Sequence, residues 1–369
     1  LHPAFAPFIG LFTDQVGVAF NAYYVLGFLL TALTTTWFLR RCGLSQAMTI
    51  TLAVLYALAP YHFTRNESHL FLASYYCVPL AMAVVVQATS GKPLWGRRAG
   101  GGKIRSVLTG PGSVTTVCLV LVTLSAAYYA VFAGILLAAA GILAFVRRRD
   151  IRRLAGVLAA GAVLVGTLAL ALLPDLLYSR ANGSVAGAFV RNPGDSELYA
   201  LKFAALVLPA PSHRIPAFAE VSDRYASTFP LPSEQAAIGL VAAIGFIALL
   251  IVIPLMTFAN RSSRSAVGEQ LRELSFLTWV AFLSASVGGL GTLLALFVTD
   301  NIRGWNRMSI FIALLALTAV GLLVDMLVRR LRVSVPLLGR ISAAAVSIVA
   351  ATMVLLIGLA DQSLKIAVP

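Results

Sequence analysis

The sequence predicts one all-α, polytopic membrane domain over residues 1–369, with about ten transmembrane segments and one long outer loop at 175–234. Three observations predict it. First, 59% of residues are hydrophobic and 11% charged, with a mean hydropathy of +0.90, whereas a soluble domain carries roughly 25% charged residues. Second, apolar runs of about twenty residues, enough to cross a bilayer, recur along the chain. Third, most of the 28 Lys and Arg residues cluster at 40–41, 92–105, 147–153, 261–272 and 329–340, at alternate ends of those runs. This is the positive-inside pattern, and it marks the cytoplasmic face. The net charge of +14 is therefore topological. It argues for modest attraction to anionic membrane lipid and against a nucleic-acid partner. Cys42, Cys77 and Cys118 sit singly in or beside apolar runs, which argues against a disulfide framework or a thiolate metal site.

Each element follows from that alternation. A first span over 16–39 ends at Arg40 and Arg41, so the N-terminus starts outside. The chain opens Leu1-His2-Pro3 without Met, and the expectation is that upstream sequence is missing. A second span, 45–60, returns to the outer face, and a third, 70–89, goes back in. Residues 114–146 form a run too long for one span and flanked by basic clusters at both ends. That requires two crossings with a turn near Ser125 to Tyr129, where interfacial aromatics suit an apex. A span over 154–173 leads out to the long loop, in which 195–208 reads as one short helix with acidic residues in its first turn and Pro209 as its stop. Spans at 235–259, 275–296 (with a Gly288-Gly289-Leu290-Gly291 break), 309–328 and 341–359 complete the chain.

Ionisable residues outside the basic clusters converge on the outer face. Pro60 to Leu80 carries the densest set. His62, Arg65, His69 and Tyr76 share one face if the helix is continuous, and Glu67 lies among them. Such a set grips a phosphate or pyrophosphate, Arg by its planar fork and His by a proton or hydrogen bond; an interfacial belt snorkelling to head groups is the other reading. His62 and His69 are also possible ligands for a divalent metal, though no tight His/Asp/Glu set accompanies them. Tyr128 and Tyr129 form the predicted apex. Arg303 and Arg307, four apart at a helix start with Asn306 beside them, suit an anionic head group or plain interfacial anchoring. Arg191, Glu197, His213 and Arg214 in the long loop either cover a substrate or pair as surface ions. The Asn66-Glu67-Ser68 and Asn182-Gly183-Ser184 strings match glycosylation acceptors by a short pattern that arises often by chance. No phosphate-binding Gly-Lys-Ser/Thr loop, Gly-x-Ser-x-Gly elbow or dinucleotide fingerprint occurs.

Pro60-Tyr61-His62-Phe63-Thr64-Arg65 with His69-Leu70 and Tyr75-Tyr76, then Arg191 through His213-Arg214, then Arg303-Gly304-Trp305-Asn306-Arg307-Met308-Ser309, resemble bacterial membrane glycosyltransferases of the GT-C type. The resemblance covers most of the chain and its motifs are loose. It implies a bacterial cytoplasmic membrane, a lipid-phosphate-linked sugar as donor and a glycan, lipid or protein acceptor at the outer face. It also implies an outer carboxylate as general base on the acceptor hydroxyl, with arginines and a histidine holding the polyprenyl phosphate. The family's acidic motif lies in the first outer loop after an N-terminal helix, and the expectation from the resemblance is that this chain begins beyond that helix. Asp14 and Glu67 are the catalytic candidates, with Asp195 and Glu197 behind them. A transporter or flippase of lipid-linked sugars, or a non-catalytic assembly subunit, are the rival classes. Transporters gather polar residues at the bilayer midplane, whereas here they gather at one face.

Overall fold

The computed structural model describes residues 15–97, 103–183, 191–229, 236–258 and 265–362. These are helical throughout apart from turns and one isolated bridge between Leu201 and Ser286. Among them, seven segments are long and apolar enough to cross a membrane: Val16–Arg41, Gln46–Arg65, Glu67–Thr89, Ala127–Arg148, Ile151–Asn182, Trp305–Ser334 and Ala343–Gln362. This is the architecture of a helical integral membrane protein.

The first span is one helix, α1 (Val16–Arg41). The second and third are composite. α2 (Gln46–Ala57) is capped by Ser45 and followed by the short α3 (Pro60–Arg65). A 3-10 turn (Glu67–His69) and α4 (Leu70–Ala73) then lead into α5 (Cys77–Thr89). The expected continuous face through His62, Arg65, His69 and Tyr76 does not exist. Asn66 takes φ 39 and ends α3, with its Oδ1 accepting from Ser68 N at 2.8 Å. Asn tolerates this left-handed backbone because its side chain replaces the lost helical bond locally.

After α6 (Lys103–Leu108), the long apolar run forms α7 (Pro111–Ser125) and α8 (Ala127–Arg148), broken at one extended residue, Ala126. Gly112 N donates to Gly96 O, Thr115 Oγ1 donates to Leu94 O, and Arg148 donates to Ser90 O. Both arms therefore return to the turn after α5, and the run is a hairpin. α7 is the shorter arm; buried Leu94 fills the space at its base, with Trp95 Nε1 bonded to Gly156 O at 2.6 Å.

α9 (Ile151–Asn182) is longer than the 154–173 expected, because Pro174 lies inside it and does not end it. The single helix expected over 195–208 is two, α10 (Asp195–Leu198) and α11 (Phe203–Val207). Leu201 between them is turned away to donate from its N–H to Ala285 O at 2.7 Å. α12 (Pro216–Thr228) and α13 (Leu240–Phe258) follow. α14 (Ala266–Ala285) starts nine residues before the expected 275, because the charges of its first turns are paired: Arg147 bonds Glu273 at 3.2 Å and Arg272 pairs with Glu269 at 3.5 Å. The expected glycine break then separates α15 (Leu290–Phe297).

α16 (Ser309–Ser334) is the axis of the bundle, buried without interruption from Ser309 to Leu322. Gly245 of α13 lies against the Ala316 carbonyl so closely that a Cβ there would be 2.2 Å from the oxygen. α17 (Pro336–Arg340) and α18 (Ala343–Gln362) close the chain. At the basic end, Asp325 accepts from Ser45 N at 2.7 Å and Ser45 Oγ at 2.8 Å, tying the axis to the α1–α2 turn. Asp325→Ala leaves both donors without that acceptor in a buried setting. The expected cost is about 1–3 kcal/mol, read as a lower melting temperature in detergent, with Asp325→Asn losing less.

Candidate functional site

The end opposite the basic clusters gathers the four elements singled out in the sequence. Tyr128 and Tyr129 occupy the first turn of α8, where no side chain caps the helix. Tyr129 OH donates to Leu72 O at 2.6 Å and meets Tyr61 OH at 3.0 Å. The Arg65 guanidinium lies 4.8 Å above the Tyr61 ring, and that of Arg307 lies 4.3 Å above the Tyr128 ring. Both arginines are nearly sequestered, at 3% and 8% exposure. Gly304 makes room for the second, since a Cβ there would come within 2.8 Å of Arg307 Nε and Cζ. Two guanidinium groups thus stack on tyrosines around one helix N-terminus. Helix dipole and cations add, and the combination favours an anion.

A strap over residues 191–201 holds the Arg307 segment in position. Arg191 donates to Asn301 Oδ1 at 2.6 Å, Arg303 pairs with Asp195 at 3.5 Å and stacks 5.2 Å above Tyr199, and Asn306 N donates to Tyr199 O at 2.9 Å. Arg303 and Arg307 therefore turn to different tyrosines and do not share a face; the helix begins only after Arg303. Glu197 is also reassigned. Both of its oxygens accept from Gly288 N, at 3.0 and 3.1 Å, and one accepts from Thr292 Oγ1, which ties α10 to the glycine turn and the first turn of α15. Burial lowers the pKa of the Lys202 ammonium, against the pull of Glu197. Glu197→Ala removes the acceptor of the Gly288 N–H and the Thr292 hydroxyl; it is expected to cost about 1 kcal/mol and to speed amide exchange at Gly288 about fivefold while leaving α16 unchanged.

The other candidates separate. His62 is fully buried, its ring stacked on Phe28 at 3.6 Å and edge-on to Tyr24 at 4.7 Å, and neither ring nitrogen has a hydrogen-bond partner. It packs as an aromatic between Phe28 and Tyr24. Gly27 permits the approach: a Cβ there would be 3.2 Å from His62 Cε1. His69 is half-buried on the 3-10 turn, Glu67 is exposed there, and Tyr76 is buried beside Ser125. Asp14 lies outside the described residues. Among the described residues no group of three or more His, Cys, Asp or Glu, with His62 and His69 or without them, is placed to hold a metal ion.

His213 has a partner the sequence did not disclose. Its ring is fully buried; Nδ1 accepts from Ile215 N at 2.9 Å, which leaves the proton on Nε2, 3.7 Å from Asp361 Oδ1. Asp361 Oδ2 in turn accepts from Leu240 N at 2.6 Å. Arg214 is exposed beside it. The one sequence signal for Asp361 was a carboxylate at the end of the last apolar run.

Fold and site together define a helical integral membrane protein with an arginine–tyrosine cluster at the end away from its basic loops. No family model matches the chain, and no curated protein or solved structure matches it.

Proposed function

We propose that the chain is a membrane glycosyltransferase of the GT-C type, moving a sugar from a polyprenyl-phosphate donor to a glycan or lipid acceptor at the outer face of a bacterial cytoplasmic membrane. The observation that carries this reading is the pair of buried arginines, Arg65 and Arg307, stacked on tyrosines at the uncapped start of α8. In this reading Pro111–Ser125, Leu240–Phe258 and Ala266–Ala285 cross the membrane as well as the seven candidate spans, which would make the ten crossings that the charge alternation predicts. Under the positive-inside rule the basic end is then cytoplasmic and the arginine pair faces outward.

In the reaction the acceptor hydroxyl attacks the anomeric carbon, a carboxylate takes its proton, and the bond from that carbon to the phosphate oxygen breaks. Negative charge grows on the departing phosphate, which Arg65 and Arg307 neutralise in surroundings that exclude water. Glu67, exposed on the turn after Arg65, and Asp14 are the carboxylates proposed as base.

Membranes carrying the protein, supplied with a radiolabelled polyprenyl-phosphate sugar, are expected to release the label from the donor and pass it to an acceptor. Uptake of label into sealed vesicles with no donor turnover would sink the transferase reading and leave a transporter.

A further inference from the structure

The basic end holds a second polar site, independent of the transferase reading. A cavity of about 440 Å³ opens between α1, α5, α8 and α14, within the roughly 300–1,000 Å³ of small-molecule sites. Its polar lining includes Arg41, Lys92 and Arg148 with Glu269, Gln270 and Glu273. We infer that this cavity binds a phosphate-bearing anion, presented by an anionic phospholipid head group or by a soluble phosphate.

Charge bookkeeping favours an anion despite the two glutamates. Glu273 is engaged by Arg147 at 3.2 Å and by Thr89 Oγ1 at 3.1 Å. Glu269 is engaged by Arg272 at 3.5 Å and Arg147 at 4.0 Å. Arg147, Arg272 and Thr89 are not among the lining residues, so the carboxylates are compensated from behind the wall. Of the lining cations, Arg148 also acts electrostatically on Glu273, without an ion pair to it, while among the described residues Arg41 and Lys92 have no carboxylate partner. Arg41 is aimed by its 4.7 Å stack on Trp37 and donates to the neutral Gln87 at 2.9 Å. Arg148 donates to the Ser90 carbonyl at 3.2 Å. Among the described residues the Lys92 ammonium has no hydrogen bond or ion pair. Cys42 registers the same field from the cavity wall: burial pushes its thiol up to about 12, while Lys92 and Arg41 pull it down. Three cations from three separate elements converge where span ends meet the aqueous boundary, the position at which basic interhelical pockets take anionic head groups.

The test is a titration of the purified full chain in neutral detergent, following tryptophan fluorescence with Trp37 beneath Arg41 as the near reporter. The three titrants are short-chain phosphatidylglycerol, short-chain phosphatidylcholine and inorganic phosphate. Saturable quenching by phosphatidylglycerol, at least tenfold tighter than by phosphatidylcholine, is expected. Inorganic phosphate saturating with similar affinity supports the site and assigns it to a soluble phosphate; phosphatidylglycerol alone assigns it to lipid. Lys92→Gln with Arg148→Gln is expected to weaken binding at least tenfold, whereas Arg224→Ala on exposed α12 leaves it unchanged. Should the double variant fail to fold by circular dichroism, Lys92→Gln alone is read, with a weakening of threefold or more expected. Equal binding of the two lipids without phosphate binding, or unchanged affinity in the folded variant, overturns the inference.

Discussion

Arg307→Ala is expected to lower donor turnover by two to three orders of magnitude, on the order of what removing one transition-state charge contact costs. The guanidinium is held 4.3 Å above Tyr128, at the first turn of α8, with 8% of the residue exposed. Water therefore screens it little, and its charge acts at nearly full strength on a departing phosphate. Arg307→Lys is expected to recover little, because an ammonium keeps the charge but cannot lie flat on the ring or offer a planar fork. The measurement is release of label from a polyprenyl-phosphate sugar in membranes, normalised to folded protein. Turnover within threefold of the parent in Arg307→Ala would remove Arg307 from the site.

Gly245→Ala is expected to produce the largest loss of stability. The added Cβ would stand 2.2 Å from Ala316 O, 2.8 Å from Ala316 C and 2.8 Å from Val320 Cγ2. Two of those three atoms are backbone of the axial helix, so no side-chain rotation relieves the clash and α13 must move off α16. Overpacking of this kind costs about 1–3 kcal/mol and occasionally more. Gly134→Ala in α8 is the matched control, since its Cβ would meet nothing within 4 Å; helix propensity alone then stabilises it by up to about 1 kcal/mol. Melting in detergent distinguishes the two, and equal midpoints would refute the close α13–α16 contact.

Hydropathy and charge made the seven candidate spans legible, and with them the hairpin turn now seen at Ala126. What they could not report were local charges with distant partners. The first turns of α14 read as loop because Glu269, Arg272 and Glu273 interrupt the apolar window, yet Arg147 offsets them from a helix 126 residues earlier in the case of Glu273. Glu197 looked like a substrate ligand because its hydrogen-bond partner, Gly288, lies 91 residues on. His62 looked like a clamp because nothing local told of Gly27 and Phe28 closing over it. Arg65, Tyr129 and Arg307 were legible as candidates through their shared face, but their stacking on tyrosines was not. Asn66 carried a readable turn signal that the helical spacing of its neighbours outweighed.

The Ser45–Asp325 link also sets a schedule for synthesis. Its two halves are 280 residues apart, which at about 5–20 residues per second is a delay of roughly 15 to 55 seconds. Throughout that interval the α1–α2 turn has been made and its acceptor has not. A nascent chain therefore carries an unsealed notch at its basic end until the axial helix enters the membrane, and for that time the turn is open to whatever insertion machinery or protease meets it first.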